Sequence, residues 1–349
     1  MGSIPSAGTK SASQRLPQSQ CPARLTYSLT VAWCLGSITI LVTAFPIVSR
    51  ETPVVVFANS MAGCGRATAQ IPRAQEVFEQ AGIPVVFETS AGLAEFGAKV
   101  SLRIERHHRL LLVLGGDGTF HHLVNATFGK GVVVGLLAAG GGNDCAAALD
   151  LQRDFSDIPR LIRQQQVRSM DVLRVRTADG MERFCVGSAG VGLDGGAARL
   201  ASTTYRRVAG RSRYILAALH AFLRFVPPEM QIEFPGEPGR SIRETLLFAS
   251  TLNAATCGGG LRIAPSAELA DGLLDLVLLK PLGVAEVLRI LPGLVRRGEV
   301  HSAKLSVMQT RSVKITTERP CIFQGDGEIL GLTPVEIAVV PQAIRVLAP

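Results

Sequence analysis

The stretch LVLGGDGTFHHLVNA, residues 112–126, decides which fold this sequence can adopt. Its apolar start completes the run RLLLVL of residues 109–114, which predicts a buried strand, and residues 120–128 predict a helix. The glycines between them allow the backbone to approach a phosphate closely, and the helix start offers free N–H donors. Asp117 could hold a magnesium ion, and Thr119 could donate to a phosphate or cap the helix.

The flanking segments repeat the alternation of strand and helix. Short apolar runs at residues 53–58, 83–88 and 131–137 predict further strands. Helical patterns separate the strands predicted at 53–58, 83–88 and 109–114. Such alternation predicts a parallel, doubly wound sheet, in which ligands bind at the carboxyl ends of the strands. A second glycine-rich loop, GGGND at residues 140–144, follows the last of these strands. Either loop alone could be an ordinary turn, but two acidic loops at adjacent strand ends favour phosphate and metal binding.

These residues resemble the signature of the diacylglycerol kinase catalytic-domain family, which includes bacterial lipid kinases and is related to sphingosine kinases. NAD kinases share only the GGDGT part of it. Four further segments are similar to family motifs and occur in the family's order: NSMAGCG at 59–65, GGGNDCAAALDL at 140–151, NAATCGGGLRIAPSAELADGLLDLVLL at 253–279, and GDGE at 325–328. The two late segments have no counterpart in NAD kinases, so the resemblance favours the lipid-kinase branch. Ser60 stands where the family has proline, and Gly141 replaces a threonine.

The resemblance implies an α/β fold of the NAD kinase/diacylglycerol kinase-like type. A doubly wound parallel-sheet domain over residues 51–172 would bind the nucleotide, and a β-rich, sandwich-like domain over residues 173–333 would bind the lipid. Residues 334–349 would return to the first domain. The sequence agrees with this division, since it becomes strand-like and turn-rich after Asp171, with one clear helical insertion at residues 214–225.

The reaction implied is that of an ATP-dependent, Mg²⁺-dependent lipid kinase, with diacylglycerol converted to phosphatidic acid as the main expectation. Glu328 matches the family's catalytic base, and a carboxylate there can accept the proton of an attacking hydroxyl. Asp117 is the leading ligand for the catalytic metal, while Asp144 and Asp171 match aspartates around the metal and the base. The positions matched to nucleotide contacts are Asn59, Thr89, Gly115, Gly116, Asp117, Gly118, Thr119, Phe120, His121, Gly141, Asn143 and Asp144.

A second, structural Mg²⁺ site is implied at Glu268, Asp271 and Leu273. Asp271 would supply its carboxylate, and the other two would supply main-chain carbonyls. Two other functions stay open: a NAD kinase-like enzyme, and a non-catalytic lipid-binding protein of the same fold. The plainer alternatives for single residues are turns at 271–272 and 326–327, a helix cap at Asp144, a strand end at Asp171, and surface or packing roles for His107, His121 and His220.

Composition sets the limits on class and partners. Of 349 residues, 47% are hydrophobic and only 18% are charged, which excludes a disordered chain. The seven cysteines are scattered and include no CxxC pair, so the sequence predicts free thiols rather than a disulfide framework or a zinc site. The formal net charge of +8 is dispersed and suits nucleic acid, an anionic membrane surface or a phosphorylated small molecule. The resemblance favours ATP and an anionic membrane surface, with no nucleic acid. The basic segment YRRVAGRSRY, residues 205–214, is either a solvated face, as such runs usually are, or, in a lipid kinase, a candidate for contact with anionic headgroups.

The first 50 residues raise a separate question. Residues 1–28 are polar and aperiodic and are predicted to be disordered, whereas residues 29–48 form an uncharged, moderately apolar run. That run is long enough for a single transmembrane anchor, but it also fits a secretory signal or sequence upstream of the true start. The dependence on ATP implies a cytoplasmic, membrane-associated protein, although basic residues before the run would place the following domain outside. The oligomeric state is not indicated.

Overall fold

The computed structural model describes residues 30–34, 37–41, 48–59, 65–208, 210–298, 300 and 302–349. The chain divides into two units, Met1–Thr43 and Ala44–Pro349. In the first unit, strands β1 (Thr30–Cys34) and β2 (Ser37–Leu41) pair antiparallel. Both lie within residues 29–48, for which a transmembrane anchor is one of the three predictions. Among the described helices, none combines the length and the apolar character needed to cross a bilayer. The segment predicted to be disordered, residues 1–28, lies outside the described residues.

The second unit opens with alternating strands and helices, as the sequence predicts. These elements are β3 (Val54–Asn59), α1 (Arg66–Ala69), α2 (Ile71–Gln80), β4 (Val85–Ser90), α3 (Leu93–Glu105), β5 (Leu110–Gly115), α4 (Asp117–Thr127), β6 (Val133–Ala138), α5 (Asp144–Ala148) and α6 (Ile158–Gln164). The following elements are mostly strands: β7 (Val167–Thr177), β8 (Glu182–Cys185), β9 (Ser188–Gly192), α7 (Leu193–Ser202), α8 (Arg211–Phe222), β10 (Glu229–Glu233), β11 (Ser241–Thr245), β12 (Phe248–Leu252), β13 (Thr256–Cys257), β14 (Leu261–Arg262), β15 (Leu274–Leu279), α9 (Val284–Arg297), β16 (Leu305–Thr310), β17 (Ser312–Thr317), β18 (Ile322–Gly325), β19 (Glu328–Leu332) and β20 (Val335–Leu347).

The first sheet contains the parallel strands in the order β4-β3-β5-β6-β20. Every residue of β5 and β6 is buried, because helices cover both faces of a parallel sheet and both sets of side chains must then be apolar. The long strand β20 lies beside β6 and also pairs antiparallel with β7 and β17, so the end of the chain returns to this sheet. All four parallel strands before β20 end at the same edge.

The second sheet is antiparallel, with the order β16-β15-β12-β9-β18-β19. Helices α7, α8 and α9 accompany it, whereas the sequence predicts a single helical insertion at residues 214–225. That insertion is α8, which begins three residues earlier than predicted. The other two helices are missed because paired glycines in α7 and a Pro-Gly pair inside α9 lower the local helix propensity. The cysteines that the structure describes are free thiols: Cys145, Cys185, Cys257 and Cys321.

Candidate active site

The two glycine-rich loops lie backbone to backbone at the carboxyl edge of the parallel sheet. A Cβ on Gly140 would stand 2.4 Å from the Cα of Gly116, a distance that no side chain allows. Asn143 closes the second loop on itself, since its Oδ1 accepts from the Gly140 N–H at 2.9 Å and its Nδ2 donates to the Gly140 carbonyl at 3.1 Å. Both glycines are therefore required by the close approach of two main chains.

Asp117 and Asp144 form the centre of this region. Asp117 starts α4, three residues before the predicted start, and its carboxylate accepts from the N–H groups of Cys145 at 2.9 Å and Asp144 at 3.2 Å. The Asp144 carboxylate accepts from the N–H groups of Gly259 and Gly260, both at 2.7 Å. Asp144 thus contacts the β-rich domain. It does not cap helix α5, which is the alternative that the sequence offers.

The surroundings of Asp117 fit a divalent cation. Burial, and after it the negative charge of Asp144, raises the pKa of Asp117 above its ordinary value, although the Cys145 and Asp144 N–H donors oppose that rise. Two neighbouring carboxylates that repel each other are the donor set that a hard cation such as Mg²⁺ stabilises. Asp117 and Asp144 are therefore the residues here that could hold the predicted catalytic metal.

A buried ion pair joins the two domains beside this centre. Asp326, in the turn between β18 and β19, accepts from His121 Nδ1 at 2.7 Å. It also accepts from the N–H groups of Val186, Gly187 and Ser188 at 2.6, 2.8 and 3.0 Å. Burial alone would raise the pKa of Asp326, but the hydrogen bond and charge of His121 and these N–H groups lower it.

Glu328, the predicted base, is held by the next histidine along α4. His122 Nε2 lies 2.7 Å from Glu328 Oε1, and 37% of the Glu328 side chain stays exposed. Burial raises the pKa of Glu328, whereas the hydrogen bond and charge of His122 lower it, and the net shift is downward. Glu328 is therefore ionised near neutral pH, as a proton acceptor must be. His121, His122 and Glu328 are also close enough together to hold a metal ion.

The other predicted nucleotide contacts fall into two groups. Asn59 ends β3, Thr89 is the last residue but one of β4, and Gly115 ends β5, so these three positions lie at the same edge of the sheet. Phe120 is wholly buried in the core, and His121 is buried with its ring on Asp326, so neither side chain is available to a nucleotide. Thr119 is also buried, inside α4, with its side chain against Gly115. Ser60 and the rest of its loop, residues 60–64, lie outside the described residues.

Asp171 is fully buried on strand β7. Its carboxylate accepts from the N–H groups of Gly272 at 2.7 Å and Gln342 at 2.6 Å, so it ties one turn to strand β20. The structure shows this structural role, and a part for Asp171 in the network around the metal and the base stays a prediction.

The turn that Asp171 holds carries the second predicted metal site. Asp271 Oδ1 accepts from the Leu273 N–H at 2.9 Å, and the side chains of Asp271 and Glu268 are exposed. This arrangement is a hydrogen-bonded turn, and the structural Mg²⁺ site at Glu268, Asp271 and Leu273 stays a prediction.

Two adjoining cavities open beside these groups. A cavity of about 200 Å³, here the polar cavity, is lined by four carboxyl groups, those of Asp117, Asp144, Asp326 and the half-buried Asp194, and the rest of its wall is mostly apolar. A second cavity of about 150 Å³ is lined almost wholly by apolar side chains of α8, α9 and the antiparallel sheet. The two share part of their walls, namely Leu193, Ala218, Phe248, Leu261 and Ile263. Glu328 lines neither cavity, although its neighbour Gly327 lines the polar one.

Sequence reasoning misses His122, Asp194 and the glycines that hold Asp144. No local signal identifies His122, because its partner Glu328 lies 206 positions further along the chain. Asp194 is a single acid in a glycine-rich segment, and only the fold places it in a cavity. The GGG of residues 258–260 is recognisable as a motif, but its use of main-chain donors for Asp144 is not.

Paired glycine-rich loops and carboxylates at the edge of a parallel sheet, packed against an antiparallel β-rich domain, define the NAD kinase-like and diacylglycerol kinase-like class. Residues 53–175 match the diacylglycerol kinase catalytic domain, and residues 187–348 match the YegS C-terminal NAD kinase beta sandwich-like domain. Residues 53–175 therefore belong to the diacylglycerol kinase catalytic-domain family, and the domain that follows them is of the YegS C-terminal type.

Several relatives of known name are similar over most of their length. A diacylglycerol kinase of Bacillus subtilis is 28% identical over 287 residues, which is 78% of this chain and 88% of that protein. A diacylglycerol kinase of Mycobacterium tuberculosis is 25% identical over 85% of this chain and 95% of that protein. A probable lipid kinase YegS-like protein of Stenotrophomonas maltophilia is 25% identical over 69% and 79%. The crystal structure of a diacylglycerol kinase from Bacillus anthracis shares the fold, with a TM-score of 0.61 at 17% identity over 85% and 97%.

Proposed function

We propose that this protein is an ATP-dependent lipid kinase that transfers the γ-phosphoryl group of ATP to a lipid hydroxyl, with diacylglycerol as the acceptor and phosphatidic acid as the product. The observation that carries this proposal is the pair of adjoining cavities. One presents carboxylates to a polar group, and the other offers almost only apolar walls, which suit acyl chains and not a soluble acceptor. A nicotinamide dinucleotide would have no polar partners in the second cavity.

The chemistry follows from the residues around the polar cavity. Glu328 accepts the proton of the lipid hydroxyl, whose oxygen attacks the γ-phosphorus of ATP while the bond to the β-phosphate breaks and ADP leaves. A divalent cation at Asp117 and Asp144 would neutralise charge on the phosphates. Because the Glu328 side chain is partly exposed, the proton that it has accepted can pass to water and restore the base.

The turn that carries Glu328 is fixed in place by both domains. The Asp326 carboxylate accepts hydrogen bonds from His121 on α4 and from three main-chain N–H groups. The turn at Asp326 and the adjacent Glu328 are therefore held against α4. Since a displacement of about 1 Å at a reacting group can cost about 10²-fold in rate, this rigidity suits a base that must meet a bound hydroxyl.

The test is incubation of the purified chain with labelled ATP, Mg²⁺ and a panel of lipids in mixed micelles: diacylglycerol, ceramide, a sphingoid base and phosphatidylglycerol. We expect labelled phosphatidic acid from diacylglycerol. Glu328→Gln should lose about 10² to 10⁴ in kcat, the usual contribution of a general base, and Asp117→Asn should lose nearly all activity. The matched control is Glu336→Gln, an exposed carboxyl on β20, which should retain full activity.

Two results would reject the proposal. If no lipid is labelled and NADP forms from NAD, the chain is a NAD kinase-like enzyme. If lipids bind but no phosphoryl transfer occurs with any acceptor, the fold serves binding alone. Full activity in Glu328→Gln, with Asp117→Asn inactive, would leave the kinase assignment and remove Glu328 as the base.

A further inference from the structure

Helix α9 presents three different stripes along its length. Val287, Ile290, Leu291 and Leu294 face inward and line the apolar cavity. A second stripe is apolar but exposed, with Val284, Leu288 and Val295 exposed to 63%, 62% and 53%. No residue of this helix is fully buried. The helix is therefore apolar well beyond the part that its own fold covers.

The third stripe is basic and lies on the exposed side of the helix. At about 100° per residue, Arg289 and Arg296 lie about 100° around the helix from Leu288 and Val295, beyond Ala285 and Pro292. Both are exposed, as is Arg297 at the end of the helix. The one acid of the helix, Glu286, already accepts from Lys304 Nζ and from the Gly283 N–H. The exposed charged side chains of α9 are therefore all positive.

The opposite wall of the apolar cavity repeats this combination. Leu216 on α8 is 43% exposed, and Leu223 and Val226 just after it are exposed to 76% and 63%. Between Thr203 and Pro228 the sequence has five arginines and no acid. Exposed apolar side chains flanked by arginines therefore occur on both helices that enclose the cavity.

We propose that α9, together with the end of α8, inserts the stripe of Val284, Leu288 and Val295 into the interface of an anionic bilayer and opens the apolar cavity directly to its acyl chains. This inference rests on the proposed lipid kinase function. The occupant follows from charge, because arginines beside an apolar stripe reach lipid phosphates while the apolar side chains enter the acyl region. It also follows from position, because a lipid that enters between α8 and α9 need not leave the apolar environment.

The test is flotation of the intact protein with vesicles, without ATP, so that it does not depend on kinase activity. We expect binding to phosphatidylcholine vesicles that contain phosphatidylglycerol, and weak binding to phosphatidylcholine alone. The double variant Leu288→Ser/Val295→Ser should bind the anionic vesicles at least 10-fold more weakly. The matched control is Leu93→Ser/Leu102→Ser on α3, whose leucines are 54% and 44% exposed, and it should bind as the unchanged protein does.

A second pair of measurements separates insertion from loss of folding. Arg289→Gln/Arg296→Gln should remove the preference for anionic vesicles, and Leu288→Trp should show blue-shifted emission quenched by brominated lipid. In activity assays, Leu288→Ser/Val295→Ser should lose turnover on vesicle-borne diacylglycerol but keep turnover on a monomeric short-chain diacylglycerol.

Equal vesicle binding by the unchanged protein and Leu288→Ser/Val295→Ser would overturn the proposal, as would absence of binding to anionic vesicles. A dimer that dissociates in the double variant, without vesicle binding, would assign the stripe to a second copy of the chain. A protein that binds vesicles through this stripe but phosphorylates no lipid would refute the proposed function and leave the membrane surface standing.

Discussion

Replacement of Asp194 by asparagine should stabilise the protein, and more strongly at alkaline pH. Asp194 is half-buried in the wall of the polar cavity, where Ser250 Oγ donates to it at 2.6 Å and Gln324 Nε2 at 3.4 Å. Burial raises its pKa from 3.8 to about 6, and these hydrogen bonds only partly oppose that rise. The ionised form is therefore disfavoured in the folded protein, so folding is easier at low pH.

The size of the effect follows from the two pKa values. Below pH 3.8 the Asp194 carboxyl is protonated in both the folded and the unfolded protein, so it does not lower the free energy of unfolding. Between pH 3.8 and about 6 its ionisation lowers the free energy of unfolding progressively, and above about pH 6 this loss is constant. At 1.36 kcal/mol per pH unit, the full penalty is about 3 kcal/mol, and about half of it applies at pH 5. In Asp194→Asn, an amide N–H would face the Gly195 N–H that now donates to a carboxylate oxygen. The loss of that hydrogen bond costs about 1 kcal/mol.

The expected net gain of Asp194→Asn is thus about 2 kcal/mol at pH 8 and close to zero at pH 5. Urea unfolding at both pH values measures it, and Glu336→Gln is the control that should show no pH-dependent difference. The same stability change at both pH values, or a loss at pH 8, would refute the reasoning. Asp194 destabilises the fold and lines a cavity, and such a combination is typical of binding sites, where function competes with stability.

Three further predictions test the site. His122→Gln keeps a donor for Glu328 but loses the positive charge, so the acid limb of the kcat–pH profile should move to higher pH; an unmoved limb would contradict the pairing. Asp326→Ala should destabilise the protein by about 3 kcal/mol in urea unfolding, because it leaves His121 and three N–H groups without their buried partner; a loss below about 1 kcal/mol would contradict it. Gly140→Ala forces apart two main chains and should lower both the melting temperature and the affinity for ATP, and an unchanged melting temperature would contradict it.

The fold could be predicted from the sequence wherever local pattern and tertiary packing agree. Strands β5 and β6 are continuous apolar runs because both of their faces are covered, and the glycine-rich loops follow them directly. Helix α7 contradicts its local propensity through its paired glycines, and it forms where it packs against β9, β12, β18 and β19. Phe120 lies inside a glycine-rich motif and yet is wholly buried, so a residue of such a motif can also serve the core.

The site could be predicted only as far as its motifs. Asp117, Asp144 and Glu328 stand in recognisable segments, but their partners do not. The N–H groups that hold Asp144 come from 115 and 116 positions further on, and the ring that holds Asp326 lies 205 positions earlier. Residue type indicates which groups can ionise, whereas the direction of their pKa shifts depends on contacts that a linear sequence does not contain.

These cross-domain contacts also explain why the site needs both domains. Asp144 belongs to the parallel-sheet domain, yet its carboxylate is satisfied by Gly259 and Gly260 of the β-rich domain. Asp326 belongs to the β-rich domain, and it pairs with His121 of the other. Because a buried carboxylate without its partner costs several kcal/mol, neither domain can bury its own half of the site alone. The same hydrogen bonds that stabilise the interface therefore set the relative positions of Asp144 and of Glu328.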